Sequence, residues 1–229
     1  MHSRPGAAGR FQTHGGSSFW EPETMQVRKL KVQDAYELIP PTFPDQRGVY
    51  CAPFQASALA EVLGRTPGFV QVSHAVSHRG AVRGPHYADV PPGQAKYAFC
   101  TQGSLLDLII DVRVGSPTFG RCAAVRLDST SFHAVYVAEG LAHAVVALEP
   151  DTSLTYLTST GYNPAVEHGI NPTDPDLGLP LPEGLELIVS EKDRTAPTLA
   201  QALADGRLPR YEDCLAQYRR LRRAAAAAA

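Results

Sequence analysis

Cysteine is scarce in this chain, and its spacing excludes two common stabilising devices. There are four cysteines in 229 residues, and no two of them form a Cys-x-x-Cys pair. A disulfide framework or a zinc cluster needs closer, patterned spacing. Three of the four lie in apolar, strand-like runs. We therefore expect reduced, buried thiols in a cytoplasmic protein.

Long apolar runs and a large charge of one sign are also missing. No apolar stretch approaches the length needed to span a bilayer. The formal net charge is −2, which gives no electrostatic reason to expect nucleic acid or acidic lipid as a partner. An anionic ligand must then be held by a few local cations. The chain is long enough to bury a sizeable core without disulfides or a structural metal.

The two ends of the chain differ in composition from its middle. Residues 1–24 are rich in Gly, Ser, His and Arg and lack the apolar segment of a secretory signal, so we predict a flexible extension. Residues 25–197 are predicted to form one folded domain. Residues 198–229 are predicted to add short helices, the last of which runs into a terminal stretch of alanines.

The middle of the chain has the pattern of an all-β protein. Between residues 25 and 160, short β-branched or aromatic runs alternate with turn formers, and residues 55–63 form the one helical pattern there. Many short strands at near-regular spacing favour a sandwich or barrel. After Tyr162 the chain is rich in Pro, Asp and Gly, which predicts irregular chain over the core. Helices are predicted at 198–204 and 210–223, after prolines.

Residues 105–113 show the cleanest strand alternation. One face carries the apolar side chains Leu106, Leu108, Ile110 and Val112. The other face carries the carboxylates of Asp107 and Asp111. Such a face either lines a polar cavity or meets solvent, and a solvated outer face is the simpler interpretation.

Several catalytic devices are absent from the sequence. There is no nucleophile elbow, no P-loop and no dinucleotide-binding glycine fingerprint, so neither a nucleophilic Ser or Cys nor ATP or NAD is implied. A metal-binding barrel would need several histidines on neighbouring strands. His86 is followed at the expected spacing by Ala88 rather than a second histidine, and His143 alone is too little. We predict no metal and no cofactor.

What remains is acid–base chemistry, for which the residue types are present. Removing a proton beside a carbonyl needs a base near neutral pKa, which histidine supplies. A fixed cation or donor must stabilise the enolate, a contribution of about 2.7–4 kcal/mol. A tyrosine hydroxyl suits proton return to the opposite face, and a carboxylate can fix the histidine tautomer. Taken singly these residues are weak indications, because lone histidines are often structural and strand-end lysines are often solvated.

Taken in chain order, short motifs resemble those of the dTDP-4-dehydrorhamnose 3,5-epimerases and their relatives in antibiotic deoxysugar pathways. The resemblance covers about residues 25–197. The motifs that carry it are Asp45-Gln46-Arg47-Gly48, Val82-Arg83-Gly84-Pro85-His86-Tyr87, Gln94-Ala95-Lys96, Asp111-Val112-Arg113, Ser116-Pro117-Thr118-Phe119-Gly120, Glu139-Gly140-Leu141-Ala142-His143, Tyr156, Tyr162, Glu167, Asp174-Pro175 and Ser190-Glu191-Lys192-Asp193.

The resemblance implies a mostly β, cupin-type double-stranded jelly roll with short C-terminal helices. It also implies a homodimer that acts on a dTDP-linked 4-keto-6-deoxy sugar without metal or organic cofactor. By position, the catalytic residues are His86 as base, Asp193 as its carboxylate partner, Lys96 as enolate stabiliser and Tyr156 as general acid. Asp107 is an alternative partner for His86.

The same resemblance assigns substrate contacts. Positions that hold the sugar and diphosphate are matched by Arg47, Gln71, Arg83, His143, Glu167 and Lys192, and Tyr162 matches a residue that stacks on thymine. The chain departs from the family pattern at Ala52, at Val72-Ser73, at Pro85 and at Ala144. These departures favour a branch that inverts one carbon, C3 or C5, rather than both. The alternatives are a nucleotide-sugar 3,4-ketoisomerase, a non-catalytic nucleotide-sugar-binding cupin and a metal-dependent oxygenase.

Overall fold

The computed structural model describes residues 24–228, so nearly all of the extension predicted for residues 1–24 lies outside the described residues. Fourteen strands are numbered in chain order: β1 Gln26–Lys29, β2 Ala35–Ile39, β3 Thr42–Asp45, β4 Gly48–Cys51, β5 Gln71–Ser77, β6 Ala81–Ala88, β7 Lys96–Gln102, β8 Ser104–Ile110, β9 Cys122–Asp128, β10 Ala134–Val137, β11 Ala142–Ala147, β12 Thr152–Thr158, β13 Glu167–Gly169 and β14 Ile188–Val189. The helices are α1 Ala56–Leu63, α2 Glu191–Arg194, α3 Leu199–Ala204 and α4 Tyr211–Ala228, with a 3-10 turn at Pro175–Leu177.

Two sheets form the body of the protein. One has the strand order β1-β2-β10-β7-β12-β5, and the other has the order β13-β6-β11-β8-β9 with β14 pairing parallel to β6. A separate two-stranded hairpin is formed by β3 and β4. This is the predicted jelly roll. Its neighbours in each sheet are mostly distant in sequence, as in β12 beside β5 and β13 beside β6.

The core is built from the inward faces of the strands. One cluster contains Tyr97, Tyr136 and Ile109, and it extends to Cys214 and Tyr218 of α4. A second cluster around Leu108 and Ile110 is covered by the chain after β13 and by α3. At about 25 cal/mol per Å² of apolar surface removed from water, such clusters supply the main stabilising term.

The predicted helices are confirmed with small shifts of boundary. Helix α1 occupies residues 56–63 and ends at Gly64, whose φ of +65° suits a glycine. Thr198 caps α3 by accepting from the backbone N–H of Gln201, whose side chain caps Thr198 in return. Within residues 24–228, no helix is both long and apolar enough to cross a membrane.

The interpretation of residues 105–113 as a solvated face is wrong. Asp107 and Asp111 are both 0% exposed. Both faces of β8 are covered, because Leu105 and Ile109 belong to one core cluster and Leu108 and Ile110 belong to the other. The buried charge of Asp111 is satisfied by Arg113, whose Nη2 lies 2.8 Å from Oδ2, and by the hydroxyls of Ser116 and Thr118. The buried Asp107 is paired instead with His143, which lines the cavity described below.

All four cysteines are free thiols. Cys100 and Cys214 are buried as expected, whereas Cys51 and Cys122 are half-buried. Burial raises the pKa of the Cys100 and Cys122 thiols to about 11, so both stay protonated and unreactive at neutral pH.

Candidate active site

A cavity of about 730 Å³ lies between the two sheets. One wall comes from β5, β7 and β12, and the facing wall comes from β6, β11 and β13 together with the segment of β14 and α2. Ten of the eleven site residues predicted from sequence line it: His86, Tyr156, Lys96, Asp193, Gln71, Arg83, His143, Tyr162, Glu167 and Lys192. The fold therefore collects residues that are spread over more than a hundred positions of the chain.

His86 and Asp193 form a hydrogen-bonded pair in this cavity. Nε2 of His86 lies 2.6 Å from Oδ1 of Asp193, and Asp193 is 4% exposed. Burial raises the pKa of Asp193, but the His86 hydrogen bond, the Ser190 hydroxyl and the Gly84 N–H lower it by more, so its pKa lies below the usual value. An ionised carboxylate can only accept, so His86 carries its proton on Nε2.

Gly84 shapes the strand that carries His86. Its φ is +87°, and a Cβ there would meet the carbonyl oxygen of His143 at 2.4 Å, so a side chain is excluded on both grounds. The same residue's N–H points at Oδ2 of Asp193 at 3.4 Å. The pairing of β6 with β11 shifts register beside this point, between His143 and Val145. With this irregularity between them, Arg83 and His86 both line the cavity although they are three residues apart on one strand.

Lys96 reaches into the cavity from the sheet opposite His86. Its Nζ lies 3.5 Å from the backbone oxygen of His86, and the residue is 8% exposed. Burial lowers the pKa of Lys96 to about 8, and the charges of Glu167 and Asp107 limit that fall. The amine is therefore mostly protonated at neutral pH and is a desolvated cation within the site.

Tyr156 lies on the wall facing His86. It is on β12, where its Cα pairs with Ser73 of β5 and Ala98 of β7. Its ring packs on the core of that sheet. Within residues 24–228, no hydrogen bond is formed by its hydroxyl, which lines the cavity.

His143 forms a second pair with a carboxylate. Its Nε2 lies 2.8 Å from Oδ2 of Asp107, and the two residues are 7% and 0% exposed at their side chains. Asp107 is thus the partner of His143 and not of His86, and the alternative pairing is wrong. The other oxygen of Asp107, Oδ1, is buried without a hydrogen-bond partner in the described part of the chain.

A polar cluster marks one end of the cavity. Gln71 donates through Nε2 to Ser73 Oγ at 2.9 Å and accepts from the Tyr162 backbone N–H at 3.1 Å. Glu167 accepts from the Gln94 side chain at 3.3 Å and from a backbone N–H at 3.2 Å. The Tyr162 side chain is 61% exposed, so one ring face is open to a planar ligand.

Cationic side chains lie toward the other end. Arg83 donates from Nε to Ser77 Oγ at 3.0 Å, and from Nη2 to the Val76 carbonyl oxygen at 3.3 Å. Lys192 also lines the cavity, from α2 beside Asp193. These are the local cations that an anionic ligand would require in a chain of low net charge.

Arg47 is the one predicted site residue that the structure does not bring to this cavity. It lies in the turn of the β3–β4 hairpin, where its Nη2 is 2.5 Å from Asp45 and its side chain is 84% exposed. Its assignment as a substrate contact stays a prediction.

The structure also adds residues to the cavity that were given no role in the site from the sequence, although Gln94 and Ser190 belong to the motifs quoted above. Ser73, Ser77, Gln94 and Ser190 line the cavity. Each is a small or neutral polar residue within a strand or beside one, and such residues carry no pattern of their own. In the described residues, no group of three or more His, Cys, Asp or Glu side chains is placed to hold a metal ion. The expectation that the reaction proceeds without a metal ion stays a prediction.

The fold and cavity define a cupin-type protein with an acid–base site between its sheets. A model of the family described as dTDP-4-dehydrorhamnose 3,5-epimerase matches residues 29–201. The chain is 46% identical over 195 residues to a dTDP-4-dehydrorhamnose 3,5-epimerase of Streptomyces griseus, covering 85% of this chain and 97% of that one. It is 45% identical over 186 residues to a dTDP-4-dehydro-6-deoxyglucose 3-epimerase of Streptomyces bikiniensis, covering 81% and 95%.

A solved structure agrees with these matches. The crystal structure of ChmJ, a 3'-monoepimerase from Streptomyces bikiniensis in complex with dTDP-quinovose, superposes with a TM-score of 0.82. It is 44% identical and covers 84% of this chain and 98% of its own. The chain belongs to the dTDP-4-dehydrorhamnose 3,5-epimerase family, a family of isomerases. The expectation from motifs is thereby confirmed at the level of family and fold.

Proposed function

We propose that this protein inverts a stereocentre next to the ketone of a dTDP-linked 4-keto-6-deoxyhexose, at C3, at C5 or at both. The observation that carries the proposal is the placement of His86 and Tyr156 on opposite walls of one cavity. Inversion needs a base on one face of the sugar ring and an acid on the other. A sugar bound between the sheets presents its two faces to these two residues.

The proposed reaction has two proton transfers. Nδ1 of His86 removes the proton from the carbon beside the ketone, and the C–H electron pair moves to form the enolate. Asp193 holds the His86 proton on Nε2 and stabilises the imidazolium that forms. Lys96, a buried ammonium, stabilises the negative charge on the enolate oxygen. The Tyr156 hydroxyl then protonates the same carbon from the other face.

The ends of the cavity support a nucleotide-linked substrate. We assign Arg83 and Lys192, with His143, to the sugar and diphosphate, because they supply the positive charge that the diphosphate requires. We assign the exposed ring of Tyr162 to stacking on thymine, with Gln71 beside it. Relatives with dTDP-sugar substrates and a bound dTDP-quinovose in one of them support this class of ligand.

Incubation with dTDP-4-keto-6-deoxyglucose in deuterated water tests the proposal, with NMR of the sugar protons as the measurement. We expect deuterium at C3, at C5 or at both, and the labelled positions identify the carbons that are inverted. The His86→Asn variant is the control and should incorporate none. Folded wild-type protein that labels neither carbon would contradict the proposal for this substrate. A product with its ketone at C3 would instead identify a ketoisomerase.

We also propose that the protein is a cytoplasmic homodimer. The free thiols support a reducing compartment. Exposed apolar side chains support a dimer, because β5 at the edge of its sheet carries Val72 at 67% and Val76 at 55% exposure, and the β3–β4 hairpin carries Tyr50 at 68%. In this proposal Arg47, on the same hairpin, contacts substrate in the partner subunit. Sedimentation of a single species with the monomer mass at micromolar concentration would contradict it.

A further inference from the structure

The carboxylate partner of the proposed base lies on an element that has little stability of its own. Asp193 belongs to α2, a helix of four residues. One turn of helix fixes several dihedral angles for a single intrahelical hydrogen bond and is unfavourable in isolation. Yet Oδ1 of Asp193 is held 2.6 Å from His86, a residue 107 positions earlier in the chain. Contacts outside α2 must therefore fix the position of the Asp193 carboxylate.

Backbone pairing just before α2 connects this segment to the strand that carries His86. Strand β14, just before α2, pairs parallel with β6 through Ile188 with Ala81 and Val189 with Val82. The Ile188 N–H also donates to the Gly80 carbonyl at 2.9 Å. This short ladder sets the position at which the chain enters α2, next to the strand that carries His86. It leaves the orientation of the Asp193 side chain undetermined.

The Ser190 side chain fixes the backbone from which the Asp193 carboxylate projects. Ser190 has extended backbone angles, φ −64° and ψ 154°, and is the N-cap of α2. Its Oγ accepts from the Asp193 backbone N–H at 3.1 Å. Its hydroxyl also stabilises the ionised Asp193 carboxylate, alongside the His86 hydrogen bond. The Ser190 hydroxyl therefore fixes the Asp193 backbone N–H, while His86 and the Gly84 N–H hold the carboxylate oxygens.

We infer that Ser190 is a positioning residue for catalysis, which holds the Asp193 carboxylate against His86 Nε2 and thereby fixes the imidazole toward the sugar. This inference rests on the proposed function, because it acts through the His86–Asp193 pair. Ser190 itself transfers no proton and touches neither reacting atom. Its effect should appear mainly in the chemical step, because Lys192 is the one dTDP contact proposed above that lies on α2.

The chain offers a matched control for the loss of this cap. Thr198 caps α3 with the same geometry, as its Oγ1 accepts from the Gln201 N–H at 3.2 Å. It does not line the cavity. Ser190→Ala and Thr198→Ala each remove one N-cap hydroxyl, so each should lower the melting temperature slightly. Only the first should disturb the orientation of a carboxylate in the site.

The test compares steady-state epimerisation of dTDP-4-keto-6-deoxyglucose by the wild type, Ser190→Ala, Ser190→Thr and Thr198→Ala. We expect Ser190→Ala to lower kcat about tenfold, with KM changed less than about twofold, since small misplacement of catalytic groups is costly. Ser190→Thr, which keeps the hydroxyl, should restore most of kcat. Thr198→Ala should keep the wild-type kcat.

Three results would overturn the inference. Ser190→Ala could retain the wild-type kcat, Ser190→Thr could fail to restore it, or Thr198→Ala could lower kcat as much as Ser190→Ala does. The melting temperature of each variant identifies any that fails to fold, and circular dichroism then confirms the folded ones. Failure of the proposed function is a distinct outcome, in which the wild type itself neither turns over the substrate nor exchanges deuterium.

Discussion

His86 and His143 lie directly opposite each other on the paired antiparallel strands β6 and β11. Each is hydrogen-bonded through Nε2 to a carboxylate, His86 to Asp193 and His143 to Asp107. Neither Nδ1 forms a hydrogen bond within the part of the chain that the structure describes. Two carboxylate-paired imidazoles therefore line one cavity, and we assign them different roles. His86 transfers the proton, and His143 holds the sugar.

Asp193→Asn tests the task given to the first pair. An asparagine keeps the shape of the side chain but removes the charge that stabilises the protonated His86. We expect kcat to fall by about 100-fold or more, while the Kd for dTDP, measured by calorimetry, stays within about twofold of wild type. A variant with unchanged kcat would show that the pairing in the structure has no part in the chemistry.

Asp107→Asn tests the second pair and has a different expected result. Asp107 is fully buried and supports His143, which in our account binds the substrate. Losing a charge-assisted hydrogen bond costs about 1.5–3 kcal/mol, so KM should rise about tenfold or more, with a smaller change in kcat. If kcat falls as far as in Asp193→Asn with KM unchanged, His143 takes part in the proton transfer instead.

Only some of these relationships could be predicted from the sequence. The motif around His86 and the short Ser190-Glu191-Lys192-Asp193 segment identified both members of the first pair by resemblance, not by spacing. The pairing of Asp107 was not predictable, because strand alternation tells which side chains share a face but not which face is inward. The face that is buried depends on which parts of the chain cover β8, and His143 is brought beside Asp107 by the long-range pairing of β11 with β8.

The location of Arg47 could not be predicted from the sequence either. Its motif matches the family, but the side chain lies on a hairpin outside both large sheets and away from its own cavity. The motif predicts the residue and a local turn. Which cavity the Arg47 side chain reaches depends on where the hairpin packs, and the motif does not specify that. The all-β class, in contrast, followed from many short strands and their turns, which are local properties, whereas the jelly roll was implied by the family resemblance.

The pKa of Lys96 predicts an alkaline limit to activity. Burial lowers that pKa to about 8, so the ammonium that stabilises the enolate is lost as pH rises through about 8. We expect kcat/KM to fall on the alkaline side with an apparent pKa near 8. Glu167→Gln removes a charge that raises the pKa of Lys96, so the fall should begin at lower pH. If Glu167→Gln leaves the apparent alkaline pKa of kcat/KM unchanged, the assignment of that pKa to Lys96 is contradicted.

The same buried amine should lower the stability of the fold. Its folded-state pKa of about 8 lies below the usual 10.5, so the native state binds fewer protons than the unfolded state between these values. The contribution of Lys96 to the free energy of unfolding is therefore lowest below about pH 8, and it rises as pH increases toward 10.5. Lys96→Met should raise the melting temperature at pH 7 by roughly 2–4 °C, about 1 kcal/mol, while abolishing turnover. A lower melting temperature would contradict this.

Tyr156→Phe gives the most direct test of the central claim, that base and acid act from opposite walls. With substrate in deuterated water, His86 should still remove the proton and return deuterium from its own face. We predict that this variant labels the substrate with retained configuration and forms little inverted product, whereas His86→Asn labels nothing. Inverted product at the wild-type rate from Tyr156→Phe, or labelling by His86→Asn, would contradict the account.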